Sequence, residues 1–265
     1  MFTNKTDPDI AKEIVLASSD LYAREVLVDG LSGTVDMTDD EAVVLTPSPA
    51  VAWTPSAYVG KQIVIDGKAF TIDANDATTL TFDSTTGDVV LPVLVEATTY
   101  YFRIQDTALY LGLSEGKEFN VADEKVQLKD GVPRTLIRED VVERILSSKG
   151  TLKNFNFAIL TALLSLKDKS ITGYRIGTGG TNPSPRKYYE FYFQTNDVEG
   201  NAVQLDIFYG QIFNDGPLPL DSDTYKMMPY TISGYQDRCR TVAAQTLQDE
   251  NLFRVKIQDT TLVVS

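Results

Sequence analysis

Cys239 is the only cysteine of the chain and lies between Arg238 and Arg240, where neighbouring cations favour the thiolate that attacks electrophiles. Such chemistry also needs a base or a resolving thiol. The 265 residues hold no histidine and no second cysteine, so Cys239 reads as a buried or incidental thiol. Gly177-Thr178-Gly179-Gly180 has the texture of a phosphate-cradling loop, but Thr181-Asn182-Pro183-Ser184-Pro185 stands where a helix N-terminus would have to begin. It reads as a loop between strands. Asp36-Met37-Thr38-Asp39-Asp40-Glu41 and Asp221-Ser222-Asp223 could offer oxygen ligands to calcium, yet neither has the glycine and terminal glutamate of an EF-hand loop. Two carboxylates could run glycoside hydrolysis without histidine, but among 37 acidic residues no spacing selects a pair. No catalytic, cofactor-binding or metal-ligating residue is assigned, and the chain is expected not to be an enzyme.

The missing histidine also removes Ser-His-Asp and Cys-His pairs and a side chain that changes charge near neutrality. One cysteine cannot form an internal disulfide or a thiolate zinc site. Lys plus Arg number 24 against 37 Asp plus Glu, a net charge of −13, which argues against a phosphate-gripping surface. The same acidity suits a protein that DNA passes without sticking. A chain of this length forms one large domain or two smaller ones and buries roughly three quarters of the surface its unfolded form exposes. Met1 to Asp7 has no apolar signal-like run, and the strongest apolar stretch, Val89 to Val95, is interrupted by Pro92 and falls well short of the ~20 residues of a membrane span. A soluble protein without a membrane anchor, made in a cytoplasm, is the expectation.

The elements that would carry these residues are mostly strands. Asp7-Pro8 opens a helix whose face holds Ile10, Ile14, Ala17 and Leu21, with Ser18-Ser19-Asp20 as an early stop. From Ala42 to Arg103 short apolar runs alternate with turn residues. Gln62 to Ile65, Asp66-Gly67 and Ala69 to Ile72 form a strand, a type I′ turn and a strand. Further turns at Asn75-Asp76 and Gly87-Asp88 precede runs at Thr79 to Phe82 and Val89 to Val95, so this stretch is an all-β unit of its own. Asp36 to Arg103 holds ten acidic residues against three basic ones. Trp53, the only tryptophan, is expected to fill that unit's core, with exposure for ligand stacking as the alternative.

Downstream, strands are expected at Ala108 to Leu113 and Phe119 to Leu128, then a polar turn segment Lys129 to Arg134, then an extended Glu139 to Ser147. Leu152, Phe155, Ile159, Leu163 and Leu166 step by three or four and predict a helix that Thr151 or Asn154 caps. Lys187 to Thr195, Ala202 to Phe213, Met227 to Tyr235 and Leu252 to Ile257 have strand character. Tyr188 to Phe193 carries aromatics on both faces, as in a strand covered by two layers or presented to a partner subunit.

The order of features from Gln105 onward resembles the major tail tube protein of long-tailed bacteriophages. Its carriers are Thr107-Ala108-Leu109-Tyr110-Leu111-Gly112-Leu113-Ser114-Glu115-Gly116 leading into Phe119-Asn120-Val121, then a long polar loop and strand up to Leu146, then Gly150-Thr151-Leu152-Lys153-Asn154-Phe155 opening the helix. Later come Val203 to Ile212, Asp215-Gly216-Pro217-Leu218 and Tyr230 to Asp237, similar to that family's closing hairpin. Gly60 to Ile72 resembles small β modules that decorate virion proteins.

The resemblance implies a mainly β (α+β) fold: a tail-tube-like β-sandwich or barrel with one packing α-helix over 151–166, plus a small inserted all-β domain. Residues 1–33 would be an N-terminal arm or helix of the tube domain, 34–103 the insertion, and 104–265 the tube domain proper. It further implies a virion tail protein assembled in the host cytoplasm, forming hexameric rings that stack into the conduit for genome ejection. Its partners would be copies of itself, baseplate or initiator and terminator proteins, a sheath if the tail contracts, and viral DNA passing without specific binding. No cofactor is implied. The polar loop Ser114 to Leu136 is expected to make the contacts between rings, with Lys129, Asp130, Arg134 and Arg138 as candidates. The alternatives are a surface or adhesion module binding glycan or host protein, with the Trp53 unit as binder, or another tail or baseplate protein of related fold.

Overall fold

Period-two alternation dominates the chain, and the backbone answers with sixteen strands and one helix among the described residues. The structure, a computed structural model, describes residues 18–37, 42–83, 94–130, 135–153, 157–179, 185–196, 202–217, 227–239, 241–242, 245–246 and 251–257. The strands are β1 (Ser18–Met37), β2 (Ala42–Ser48), β3 (Gln62–Ile65), β4 (Lys68–Asn75), β5 (Leu80–Asp83), β6 (Thr99–Gln105), β7 (Leu109–Asp130), β8 (Thr135–Leu152), β9 (Lys167–Asp168), β10 (Gly177–Thr178), β11 (Tyr189–Asn196), β12 (Ala202–Asn214), β13 (Met228–Gly234), β14 (Thr241–Val242), β15 (Gln245–Thr246) and β16 (Phe253–Ile257). The helix α1 spans Phe157–Leu164.

The pairings close into two antiparallel rings of six strands that share β1. The first runs β1–β7–β8–β13–β12–β11 and returns to β1. The second runs β1–β2–β5–β4–β3–β6 and returns to β1. Within the rings closure removes the exposed edges that an open sheet would have to protect, while β16 pairs β12 from outside the first ring. Barrels of this size are filled by side chains, and each ring has its own core. Leu21, Phe191, Phe193, Ile207, Tyr230 and Ile232 fill the first, and Val35, Leu45, Ile63, Phe70, Phe82 and Phe102 fill the second.

β1 gives residues 18–25 to the first barrel and 26–37 to the second. Its pairing with β6 slips between Val26 and Val28 and again between Val28 and Leu31, and Gly30 sits there at φ +76°. Bulges beside a left-handed glycine turn a strand sharply, and here they carry it from one barrel into the other. The division expected at 33/34 therefore falls inside a strand, and among the described residues the second barrel uses 26–37, 42–83 and 94–105. In that barrel the expected hairpin stands: Gln62 pairs Thr71, Ile65 pairs Lys68, and Asp66 and Gly67 have φ of 49° and 72°. Two positive φ values make the tight turn that joins the strands.

Three expectations need correction. Leu21 lies in a strand, not on a helix face, because from Leu21 to Arg24 apolar and polar residues alternate and put Leu21 and Ala23 in the core; residues 7–17 lie outside the described residues. Leu152 ends β8, paired with Met228 and Ser114, so the helix cannot begin at 151. α1 is shorter at both ends than 151–166, with Ile159 and Leu163 in the first core and Ser165 at φ 50° closing it. The Arg186 guanidinium donates to the carbonyls of Leu163 and Ile212, both at 3.2 Å, and lies over the Phe213 ring, which satisfies the helix C-terminus with a cation. Finally, Ser114 to Asp130 is strand rather than loop, and the strand expected at Phe119 to Leu128 is part of it.

Candidate functional site

β7 and β8 are 22 and 18 residues long, far beyond what the barrel uses. Among the described residues β1 pairs β7 only as far as Glu115, and β13 pairs β8 only from Leu146 to Leu152. From Ala122 opposite Ile145 to Asp130 opposite Thr135 the two strands pair, among the described residues, with each other alone. At ~3.4 Å per residue this two-stranded arm reaches about 30 Å beyond the barrel. Along both outer edges its backbone N–H and C=O groups have no strand beside them among the described residues, and a lone two-stranded ribbon is marginal in water.

The residues expected to make contacts sit near its tip. Lys129 is opposite Leu136, Asp130 opposite Thr135, and Arg138 opposite Leu128, while Arg134 lies outside the described residues. The charged residues here carry no apolar stripe, so the sequence marks a strand only over Phe119 to Leu128, whereas the two strands pair from Val121 to Asp130.

A second cluster lies where the barrels meet. Arg103 of β6 is 1% exposed, and its Nη1 stands 2.7 Å from Asp237 Oδ2 in the segment after β13. Its Nη2 lies 3.9 Å from Glu190 Oε2 of β11, and its Nε donates to Gln105 Oε1 at 3.2 Å. Glu190 Oε2 also accepts from Arg24 Nη1 at 3.0 Å and Gln105 Nε2 at 2.8 Å. Burial opposes the charge on Arg103, yet Asp237 and then Glu190 outweigh it and raise its pKa. Burial likewise opposes the Glu190 carboxylate, and Arg103 and Arg24 outweigh it, leaving its pKa below the usual value.

The backbone closes the same joint. Asp237 Oδ1 accepts from the Cys239 amide at 2.9 Å, and the Cys239 carbonyl accepts from Gly67 N, at the tip of the β3–β4 turn, at 3.2 Å. The segment after the first barrel's β13 thus grips the second barrel at Arg103 and Gly67. Sequence reasoning did not pick out these residues. The available signal was a charge inside an aromatic run, in Tyr100-Tyr101-Phe102-Arg103 and Tyr188-Tyr189-Glu190-Phe191.

Elsewhere, Cys239 is 1% exposed and burial raises its thiol well above the usual value, as expected of an inert thiol. Trp53 is buried, edge-on to Tyr58 and Phe102, so the stacking-platform alternative does not hold. Gly177-Thr178 pairs with Lys167-Asp168, and Gly180 lies outside the described residues. Of the two acidic stretches, Asp36 ends β1's exposed side, whereas 38–41 and 221–223 lie outside the described residues, and no group of three metal-ligating side chains occurs among the described ones. At one end of the first barrel Lys117 Nζ donates to Ser19 Oγ and lies 5.7 Å from the Phe193 ring centre. Burial pushes its pKa down to about 8 against the pull of Asp20 and Glu115. No helix among the described residues is long and apolar enough to cross a membrane.

No family model matches the chain, and no curated protein matches it.

Proposed function

We propose that the chain is a structural subunit that assembles with copies of itself into stacked hexameric rings, the tail tube through which a bacteriophage genome leaves the virion. The observation that carries this reading is the β7–β8 arm. A ribbon about 30 Å long with no strand along either edge among the described residues gains stability by laying those edges against another strand or surface, and in a repeating assembly the next subunit offers one. The net charge of −13 supports it, since an acidic conduit repels phosphates rather than collecting them. The order of features that resembles tail tube proteins supports it as well. On this reading the partners are further copies, the proteins that start and end the tail, and DNA in transit, and the work is mechanical.

The test is to join Asp123 to Arg144, which face each other across the arm, through an Asn-Gly turn in place of residues 124–143. Negative-stain microscopy and sedimentation of the concentrated full chain are expected to give rings or tubes, and the shortened chain is expected to melt like the full one yet remain a monomer. A full chain that stays monomeric at millimolar concentration, or a shortened chain that still forms tubes, would refute the proposal.

A further inference from the structure

The short finger made by β9, β10 and the turn between them stands apart from its surroundings in charge. Residues 167–187 hold five basic residues against one acidic residue in a chain of net charge −13. Two of the five are engaged at the base: Arg186 caps α1, and Lys187 Nζ lies 2.6 Å from Glu25 Oε1. Lys167, Lys169 and Arg175 are exposed on the finger itself. At its tip Ile171 and Tyr174 are 64% and 70% exposed, an apolar pair held in water with cations around it.

The finger is a built element. Ile171 and Tyr174 exchange backbone hydrogen bonds of 3.1 and 3.0 Å across Thr172-Gly173, with Gly173 at φ 84°. Lys169 N donates to the Ile176 carbonyl at 2.8 Å, and Ser170 N donates to Asp168 Oδ1 at 2.7 Å. At the base a Cβ on Gly177 would come within 2.7 Å of Leu166 Cδ1 and 3.3 Å of Phe157, so the hairpin is pressed onto the side chains flanking α1. Holding Ile171 and Tyr174 out in a fixed turn sacrifices apolar burial, which a docking partner would recover.

The complementary surface is on the second barrel. Asp36 to Arg103 holds ten acidic residues against three basic ones, of which Arg103 is buried at the joint and Lys61 is 2.5 Å from Asp106. On the outer side of β4, Asp73 is exposed and Asp76 accepts from the amides of Thr78 and Thr79 at 2.6 and 2.7 Å. Beside them lies the turn 56–60, tied to β4 by Gly60 N to the Ile72 carbonyl at 2.8 Å and Ser56 N to the Asn75 carbonyl at 3.0 Å. That turn carries Val59, 46% exposed. A strand with exposed carboxylates, tied to a turn with an exposed apolar side chain, is the counterpart of a finger with exposed cations and an apolar tip.

We infer that the finger of one copy docks on this face of the second barrel of another copy, Ile171 and Tyr174 against Val59, with Lys169 and Arg175 facing Asp73 and Asp76. The inference rests on the self-assembly reading and gives the second barrel a part in it, as the receptor for a neighbouring subunit. Finger and receptor are different surfaces, so the contact is head-to-tail and propagates around a ring or along a stack rather than ending at a dimer.

Cysteine cross-linking tests it, because the buried Cys239 does not compete. Tyr174→Cys chains are mixed with Val59→Cys chains and oxidised with copper phenanthroline, alongside wild-type assembly followed by sedimentation. The expected result is a mixed disulfide dimer that neither variant forms alone, together with a roughly tenfold higher assembly concentration for Lys169→Glu/Arg175→Glu, whose melting temperature stays that of the wild type. If the wild type assembles but no mixed dimer forms, or only Tyr174→Cys homodimers appear, the finger assignment is overturned and the proposed function stands. If the wild type does not assemble at all, both fall.

Discussion

Asp237→Ala isolates the joint between the barrels. The substitution leaves the Arg103 guanidinium buried, with Glu190 at 3.9 Å as its remaining carboxylate. Removing one partner of a buried ion pair costs about 3–5 kcal/mol, and the lost acceptor of the Cys239 amide adds about 1 kcal/mol. An unfolding entropy of about 2.1 cal/mol/K per residue gives the 265-residue chain roughly 0.6 kcal/mol/K, so Tm is expected to fall by about 7–10 °C. Arg103→Met/Asp237→Leu removes both charges and keeps apolar volume, while Glu190 retains Arg24 and Gln105, so it is expected to cost less than Asp237→Ala alone. Calorimetry of the three proteins decides it. Because the joint couples two separate cores, the single-site variant is also expected to split one heat-absorption peak into two. A shift under about 2 °C with a single peak, or a double variant worse than the single one, would sink the assignment of Arg103–Asp237 as the link between the barrels.

Other outcomes follow from the same contacts. Trp53 is the only tryptophan and belongs to the second core, so its emission is expected to be blue-shifted in the native state and to report that barrel alone; an emission maximum like that of free tryptophan contradicts the packing. In Asp237→Ala, its transition is expected to separate from the one seen by far-UV circular dichroism. Lys117, with its pKa pushed down to about 8, binds a proton less readily folded than unfolded, where the value is near ~10.4. Stability therefore rises with pH between those values, and Lys117→Met is expected to flatten that rise in pH-dependent urea melts; an unchanged slope contradicts the burial.

What was legible in the sequence was local. Asp66-Gly67 announces its hairpin because the turn needs two positive φ values and those residues supply them, and most later strands lie within a residue or two of where alternation puts them. The helix over-extends because Leu152 fits its period-3.6 stripe, yet the strand ladder to Met228 and Ser114 claims it first. Barrel closure was not legible. It depends on Leu21 meeting Phe193 and Val26 meeting Gln105, pairings between distant segments that no window of sequence contains. The joint was hidden for the same reason: Arg103, Glu190 and Asp237 come from three separate stretches and look like isolated charges until the barrels bring them together.

The joint is better understood as a setter of angle than as a source of stability. Buried ion pairs contribute little more than well-packed apolar residues of equal volume, but they tolerate few alternative arrangements. In a lone protein a few degrees between two barrels would matter little. In a head-to-tail assembly the same error recurs at every contact and accumulates, so a ring closes only if the angle is held. β1 makes this geometry shared: its first half lies between β7, the root of the arm, and β11, which carries Glu190, while its second half builds the barrel that carries Val59 and Asp73. In the proposed assembly the edge offered to a neighbour and the face that receives one are therefore both set by one strand and its bend at Gly30, with the charges of the joint between the barrels.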